Sequence, residues 1–206
     1  MKVTKPQRPY AAFTLVEMVG VLGVIAVLAG ILIPKIFASL NEARINNAVT
    51  SYNTIQSAAT TYFGKYGKFG GVEGETYATG TSVTNWDTAV LMVERLIDKP
   101  FGPRLSDSAR VEVNDCLSSG TDIHGGNSAY NLDNNTSYNK NDAFGAKVVE
   151  CVLENITRED AWELSRRIDG PTMSAAGRDD ASDLVGRVKY NITGTSGMVR
   201  IYVAHK

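Results

Sequence analysis

Two cysteines, two histidines and a late run of aspartates are the side chains whose types and spacing first raise site chemistry in this 206-residue chain. Cys116 and Cys151 each fall in a stretch that reads as a strand. If the domain leaves the cytoplasm, oxidation would join them. Closing a loop of about 36 residues would then stabilise by roughly 3–4 kcal/mol in the chain-entropy model. The alternative is two buried free thiols. Neither cysteine has metal-ligand spacing to a partner, and His124 and His205 stand alone, which argues against a zinc site. A nucleophilic triad would need one of those histidines beside a serine and an acid, and no nucleophile elbow is present. Asp179, Asp180 and Asp183 offer oxygens that could hold calcium, although their spacing is not that of an EF-hand. A solvated acidic loop is the competing reading. Asn134, Asn155 and Asn191 begin N-x-Ser/Thr triplets, which arise often by chance. The expectation is a protein that is not an enzyme and needs no cofactor, with calcium the one candidate ion.

The most informative titratable residue is Glu17. It lies near the start of the apolar run 13–37, which holds 18 apolar residues in 25 positions. From Met18 to Pro34 there is no polar side chain at all. A carboxylate in such a helix costs roughly 2.5–3.5 kcal/mol on insertion scales, unless it sits shallow enough to reach water. The alternative to a shallow site is a cation partner within an assembly. Cutting the chain just before Phe13 would supply one, as a new α-amino group. That amine is poorly placed beside its own helix dipole. A neighbouring copy's Glu17 would neutralise it, and both charges would be paired in an apolar setting.

Around this residue the distribution matters more than the average. Overall the chain is 43% hydrophobic with a net charge of −1, which looks like an ordinary soluble domain and not a general nucleic-acid binder. Residues 1–12 carry Lys2, Lys5 and Arg8 and no acid, so removing their +3 from −1 leaves −4 on the remainder. Pro6 and Pro9 oppose a helix there. A basic start before an apolar run is the pattern of a targeting signal or a membrane anchor, with the basic end cytoplasmic. The run is long for a signal core, and Pro34-Lys35-Ile36-Phe37 is a poor cleavage site at its end. About 20 apolar residues span a bilayer.

Ala12-Phe13-Thr14-Leu15-Val16-Glu17, followed by an apolar helix containing Pro34, resembles the prepilin signal of type IV pilins and type II secretion pseudopilins. The resemblance covers roughly residues 1–65. It implies cleavage between Ala12 and Phe13 by a membrane peptidase, which then methylates the new N-terminus at Phe13. It implies roles in assembly for Glu17 and for the helix around Pro34, which can melt as subunits enter a filament. The family usually has Gly before the cut, and this chain has Ala12, also small. The implied function is a structural subunit of an extracellular type IV pilus, a homo-oligomeric helical filament assembled by inner-membrane machinery. Before assembly the subunit would be a single-pass inner-membrane protein with its leader in the cytoplasm. The alternatives are a periplasmic type II secretion pseudopilin, some of which use calcium in a late loop, or a minor pilin that binds a surface or DNA.

The implied layout is α+β and pilin-like: leader 1–12, filament-core helix half 13–37, amphipathic half 38–64 and head domain 65–206. The residues agree with it. Ile45, Ala48/Val49, Tyr52, Ile55, Ala59, Tyr62/Phe63 and Tyr66 form one helical stripe. A helix from Thr14 to Phe63 would extend about 75 Å, ended by Gly64, Gly67, Gly70 and Gly71. Gly20, Gly23 and Gly30 would permit close helix approach in an apolar setting. In the head, Trp86–Asp98 reads as a short helix, with Thr84 or Asn85 as cap. Val111–Leu117 and Ala146–Leu153 read as strands. Residues 118–142 read as a long surface region. Thr157 caps a helix to Ile168, 172–183 is a polar loop, and Leu184–Ile192 with Met198–Ala204 is a hairpin.

Overall fold

A computed structural model describes residues 13–117, 127–134, 141–175 and 177–206. The expected leader 1–12, with Ala12, and His124 lie outside them. The architecture is α+β: a long N-terminal helix and a C-terminal antiparallel sheet. The chain divides into two compact units, Met1–Glu42 and Ala43–Lys206.

Helix α1 spans Leu15–Tyr66 and contains Pro34. Proline removes one backbone donor there, and the helix continues past it. Within the second unit the expected stripe is buried at Ile45, Ala48, Tyr52, Ile55, Ala59 and Tyr62, with Val49, Phe63 and Tyr66 partly buried beside it. Tyr52 and Tyr62 spend their hydroxyls on backbone carbonyls, Tyr202 at 2.9 Å and Gly71 at 2.5 Å. Buried tyrosine needs such partners. Gly67 ends the helix with φ of +70°, and its N–H donates to Phe63 O at 2.7 Å. Only glycine takes that conformation without strain.

The sheet has five strands in the order β1-β2-β5-β4-β3. They are β1 Ala109–Asp115, β2 Lys147–Thr157, β3 Ser182–Asp183, β4 Val188–Asn191 and β5 Ser196–His205. All neighbours run antiparallel. One face presents Val111, Val113, Val149, Cys151, Leu153, Val188, Tyr190, Val199 and Ile201 to the α1 stripe. The period of two puts every intervening residue on the other face. Helix α2, Arg158–Ile168, opens on Thr157, whose side chain accepts from Asp160 N, as expected of a cap.

Four readings of the head need correction. Trp86–Asp98 is not a regular helix but a five-residue wide π turn, Asp87–Leu91, without a side-chain cap. The wide turn faces Trp86 and Asp87, adjacent in sequence, both inward. Trp86 Nε1 donates to Gly70 O at 2.7 Å, and Asp87 Oδ2 accepts from Phe101 N at 2.8 Å. Residues 118–142 are not all surface, since Ala129, Tyr130, Asn131 and Asn141 are buried. The polar loop 172–183 contributes the short strand β3. The strand expected from Leu184 begins only at Val188, because Gly186 turns the chain at φ of +84°. Asp169 Oδ1 and Oδ2 bind the next two amides, Arg187 and Val188, at 2.9 and 2.8 Å. A Cβ on Gly186 would strike that carboxylate at 2.7 Å, so glycine is required twice over.

Candidate functional site

Helix α1 begins with Thr14 and Glu17. Glu17 Oε2 accepts from Thr14 N at 2.9 Å and from Thr14 Oγ1 at 2.8 Å. Thr14 Oγ1 accepts in turn from Glu17 N at 3.2 Å. This is a capping box: a hydroxyl residue at the N-cap and a carboxylate three residues on satisfy two of the amides a helix start leaves unpaired. This local pairing adds to the two sequence expectations for Glu17, a shallow charge or one paired from outside. The T-x-x-E spacing was the signal for a third role.

From Phe13 to Leu40 every large apolar side chain stands between about half and four-fifths exposed. Nothing lies within 4 Å of a Cβ placed on Gly20, Gly23 or Gly30. This is the one helix among the described residues long and apolar enough to cross a membrane, and it fits a membrane anchor. The segment offers apolar surface and a single carboxylate, Glu17, at its start.

The two cysteines do not form the expected disulfide. Both are buried and free. Val111 pairs with Cys151, whereas Cys116 N donates to Ala146 O, five residues before Cys151 and just ahead of β2. That separation is roughly 16 Å at strand rise, against the 7 Å limit for bridging Cα atoms. The thiols also face opposite ways. Cys151 packs among Val111, Val149 and the α1 stripe, and Cys116 packs with Ala129, Tyr130 and Ala143. Burial, with Asp87 and Glu150 adding to it, pushes the Cys151 thiol well above its usual range, which suppresses the reactive thiolate. Reductant is therefore expected to leave the melting temperature unchanged. Alkylation of the unfolded, unreduced protein should add two adducts by intact mass, and one adduct or none would contradict this placement.

The aspartates do not converge either. Asp183 is buried and turned inward, accepting from Ser165 Oγ, Ala175 N and Val185 N at 2.8, 3.0 and 3.2 Å. Asp180 caps its own turn at Gly177 N, 2.8 Å away, and Asp179 is exposed. Among the described residues no three His, Cys, Asp or Glu are grouped as a metal would need. The calcium expectation loses its ligand set, because Asp183 is committed to holding α2 against β3.

The outer face of the sheet holds a polar cluster that the strand pattern did not reveal. Glu112 of β1 lies directly opposite Glu150 of β2. Arg200 of β5 bridges them through Nη1, 3.2 Å from Glu112 and 2.5 Å from Glu150. Arg110 holds Glu112 at 2.6 Å from its Nε. Glu150 is fully buried and also accepts from Asn114, Ser128 and Tyr130 at 2.6, 2.7 and 2.7 Å. Burial raises the Glu112 carboxyl, but Arg110, Asn114 and Arg200 together outweigh it and hold it below the usual carboxylate range. Burial and the Glu150 charge push Tyr130 far above the ordinary phenol value. Lys189, also fully buried, donates to Asn127 and to Ala129 O at 2.5 Å and lies 4.3 Å over the Tyr130 ring. Every one of these charges has opposite-charge or dipolar partners, so the cluster reads as an interior ionic lock.

No family model, curated protein or solved structure matches this chain.

Proposed function

We propose that this chain is the precursor of a structural subunit that polymerises through its N-terminal helix into an extracellular filament of the type IV pilus kind. The observation that carries the reading is the bare apolar stretch from Phe13 to Leu40, with Glu17 the one carboxylate near its start. Such a surface needs lipid before assembly and other copies of itself afterwards. The order of basic leader, Ala12-Phe13, Thr14 to Glu17 and apolar helix supports processing between Ala12 and Phe13 and methylation of Phe13. Polymerisation then rests on apolar helix packing, with Glu17 pairing the α-amino group of a neighbouring Phe13 and setting axial register. Pro34, which lacks an amide to give the helix, supplies a weak point where α1 can open during packing. The partners of this reading are further copies of the chain, the peptidase and methyltransferase that process it, and the inner-membrane assembly machinery.

Glu17→Ala is expected to leave membrane insertion and leader cleavage intact and to reduce filaments in sheared surface fractions viewed by electron microscopy. Normal filament yield from that variant would sink the pairing mechanism. Filaments absent from the surface of wild-type cells, with secretion failing on deletion, would move the subunit to a periplasmic pseudopilus.

A further inference from the structure

We propose that the outer face of the sheet carries a saccharide-binding site, in a polar cavity beside the ionic cluster. The inference goes beyond the filament reading and does not depend on it.

The cavity measures about 470 Å³ and is bounded by Glu112, Asn114, Asp115, Ser128 and Arg200, with Leu117 at its edge. That size lies within the roughly 300–1,000 Å³ of small-molecule sites. Arg200 is the side chain that points to a ligand. It lines the cavity while only 9% exposed. Both its ion pairs leave from Nη1, to Glu112 at 3.2 Å and to Glu150 at 2.5 Å. Its Nε is buried and donates to nothing. A buried donor without an acceptor is costly, and native structures keep few of them. An acceptor atom brought by a ligand would satisfy it.

The surrounding charges select the class of that ligand. An anion would meet Arg200 but also the carboxylates of Glu112 and Asp115. A cation would meet those carboxylates but also the guanidinium. Both carboxylates keep acceptor capacity, since each has about four lone-pair sites. Glu112 fills three, with Arg110, Asn114 and Arg200. Asp115 fills two, with Gly80 N and Lys147 Nζ. The cavity therefore suits one neutral molecule that accepts from Arg200 and donates to the carboxylates. A hydroxyl does both, and a sugar ring carries several at fixed spacing. Such a ring is rigid, so ordering opposes its binding less than that of a flexible polyol. Leu117, 65% exposed, offers the apolar contact on which the C–H face of the ring can settle.

The full chain, with isotope-labelled arginine and asparagine, would be held in phosphocholine micelles, which bring no sugar headgroup. Methyl glycosides of glucose, galactose, mannose and N-acetylglucosamine would be titrated in turn by nuclear magnetic resonance, with sodium acetate as the anionic comparison. At least one glycoside is expected to shift the Arg200 Nε–H and Asn114 Nδ2–H resonances saturably. Arg200→Lys should weaken that binding by about ten-fold, the loss of a hydrogen bond to a charged group. Leu117→Ala leaves the ionic cluster intact and should weaken it by about three-fold, which keeps the test decisive if the arginine variant does not fold. No saturable shift at Arg200 from any glycoside would overturn the proposal. Shifts from acetate alone would also overturn it, by making the cavity an anion site. Wild-type affinity in Leu117→Ala would place the sugar elsewhere, with the same consequence.

Discussion

Glu150→Ala is expected to destabilise the unit Ala43–Lys206 by about 3–5 kcal/mol, the usual effect of removing one partner from a buried ionic network. For a unit of this size the melting temperature should fall by roughly 10 °C. The size follows from what the carboxylate serves. It accepts from Arg200, Asn114, Ser128 and Tyr130 while itself fully buried. Alanine would leave the Tyr130 hydroxyl and the Ser128 hydroxyl without their acceptor, and would leave Arg200 with Glu112 alone. Arg200 Nε already lacks a partner, so little slack remains. Glu150→Gln keeps an acceptor for the tyrosine and removes the charge, and should cost less than alanine. Thermal melts followed by circular dichroism would rank the three proteins. A Glu150→Ala melt matching the wild type would show that the cluster does not lock the sheet. The lock explains how a sheet can carry two glutamates directly opposite each other, since like charges facing across strands otherwise destabilise.

The contrast between the two faces of the sheet shows what was legible in the sequence. The α1 stripe from Ile45 to Tyr66 could be read directly, because burial on one face imposes a 3.6-residue period. Thr157 as a cap and the strands flanking Val111 and Met198 were legible for similarly local reasons. The outer face was not. Glu112 and Asn114 alternate with valines, which marks a strand with a polar face, yet Ala129, Tyr130 and Asn141 cover that face from far along the chain. Alternation reports which face a residue takes and not whether anything lies over that face. The cysteine pairing failed for a related reason. Cys151 lies within β2 as expected and Cys116 one residue past β1, but register and facing depend on the partner strand. The Val111↔Cys151 pairing puts Cys116 well beyond reach. Asp183 looked like part of an acidic loop because its amide and hydroxyl donors, Ala175 N and Ser165 Oγ, come from separate segments. At the N-terminus the reverse holds. The capping box lies within four residues, so both its signal and its geometry are local.

Removing residues 1–42 is expected to convert a protein that sediments with membranes and requires detergent into one that stays soluble without it. The large apolar side chains from Phe13 to Leu40 are 48–80% exposed. Full burial of each is worth about 1.5–3 kcal/mol. Summed along the segment this reaches tens of kcal/mol, well beyond the roughly 5–15 kcal/mol that holds a domain folded. A segment with this much uncovered apolar surface fits a membrane anchor. The stripe that binds the rest of α1 to the sheet begins only at Ile45, so truncation before Ala43 leaves that stripe whole. The shortened protein should keep its sheet signal by circular dichroism and melt close to the full chain in detergent. The first turn of the truncated helix loses its amide partners, but those amides meet water there, a modest loss. Aggregation of the truncated protein, or its persistence in the membrane pellet, would mean that residues beyond Glu42 also carry surface that must be covered. The exposed Val93, Leu117 and Phe144 would then be the first positions to replace. If it stays soluble, the surface that fits a membrane anchor ends by Glu42, and the second unit is a self-sufficient fold.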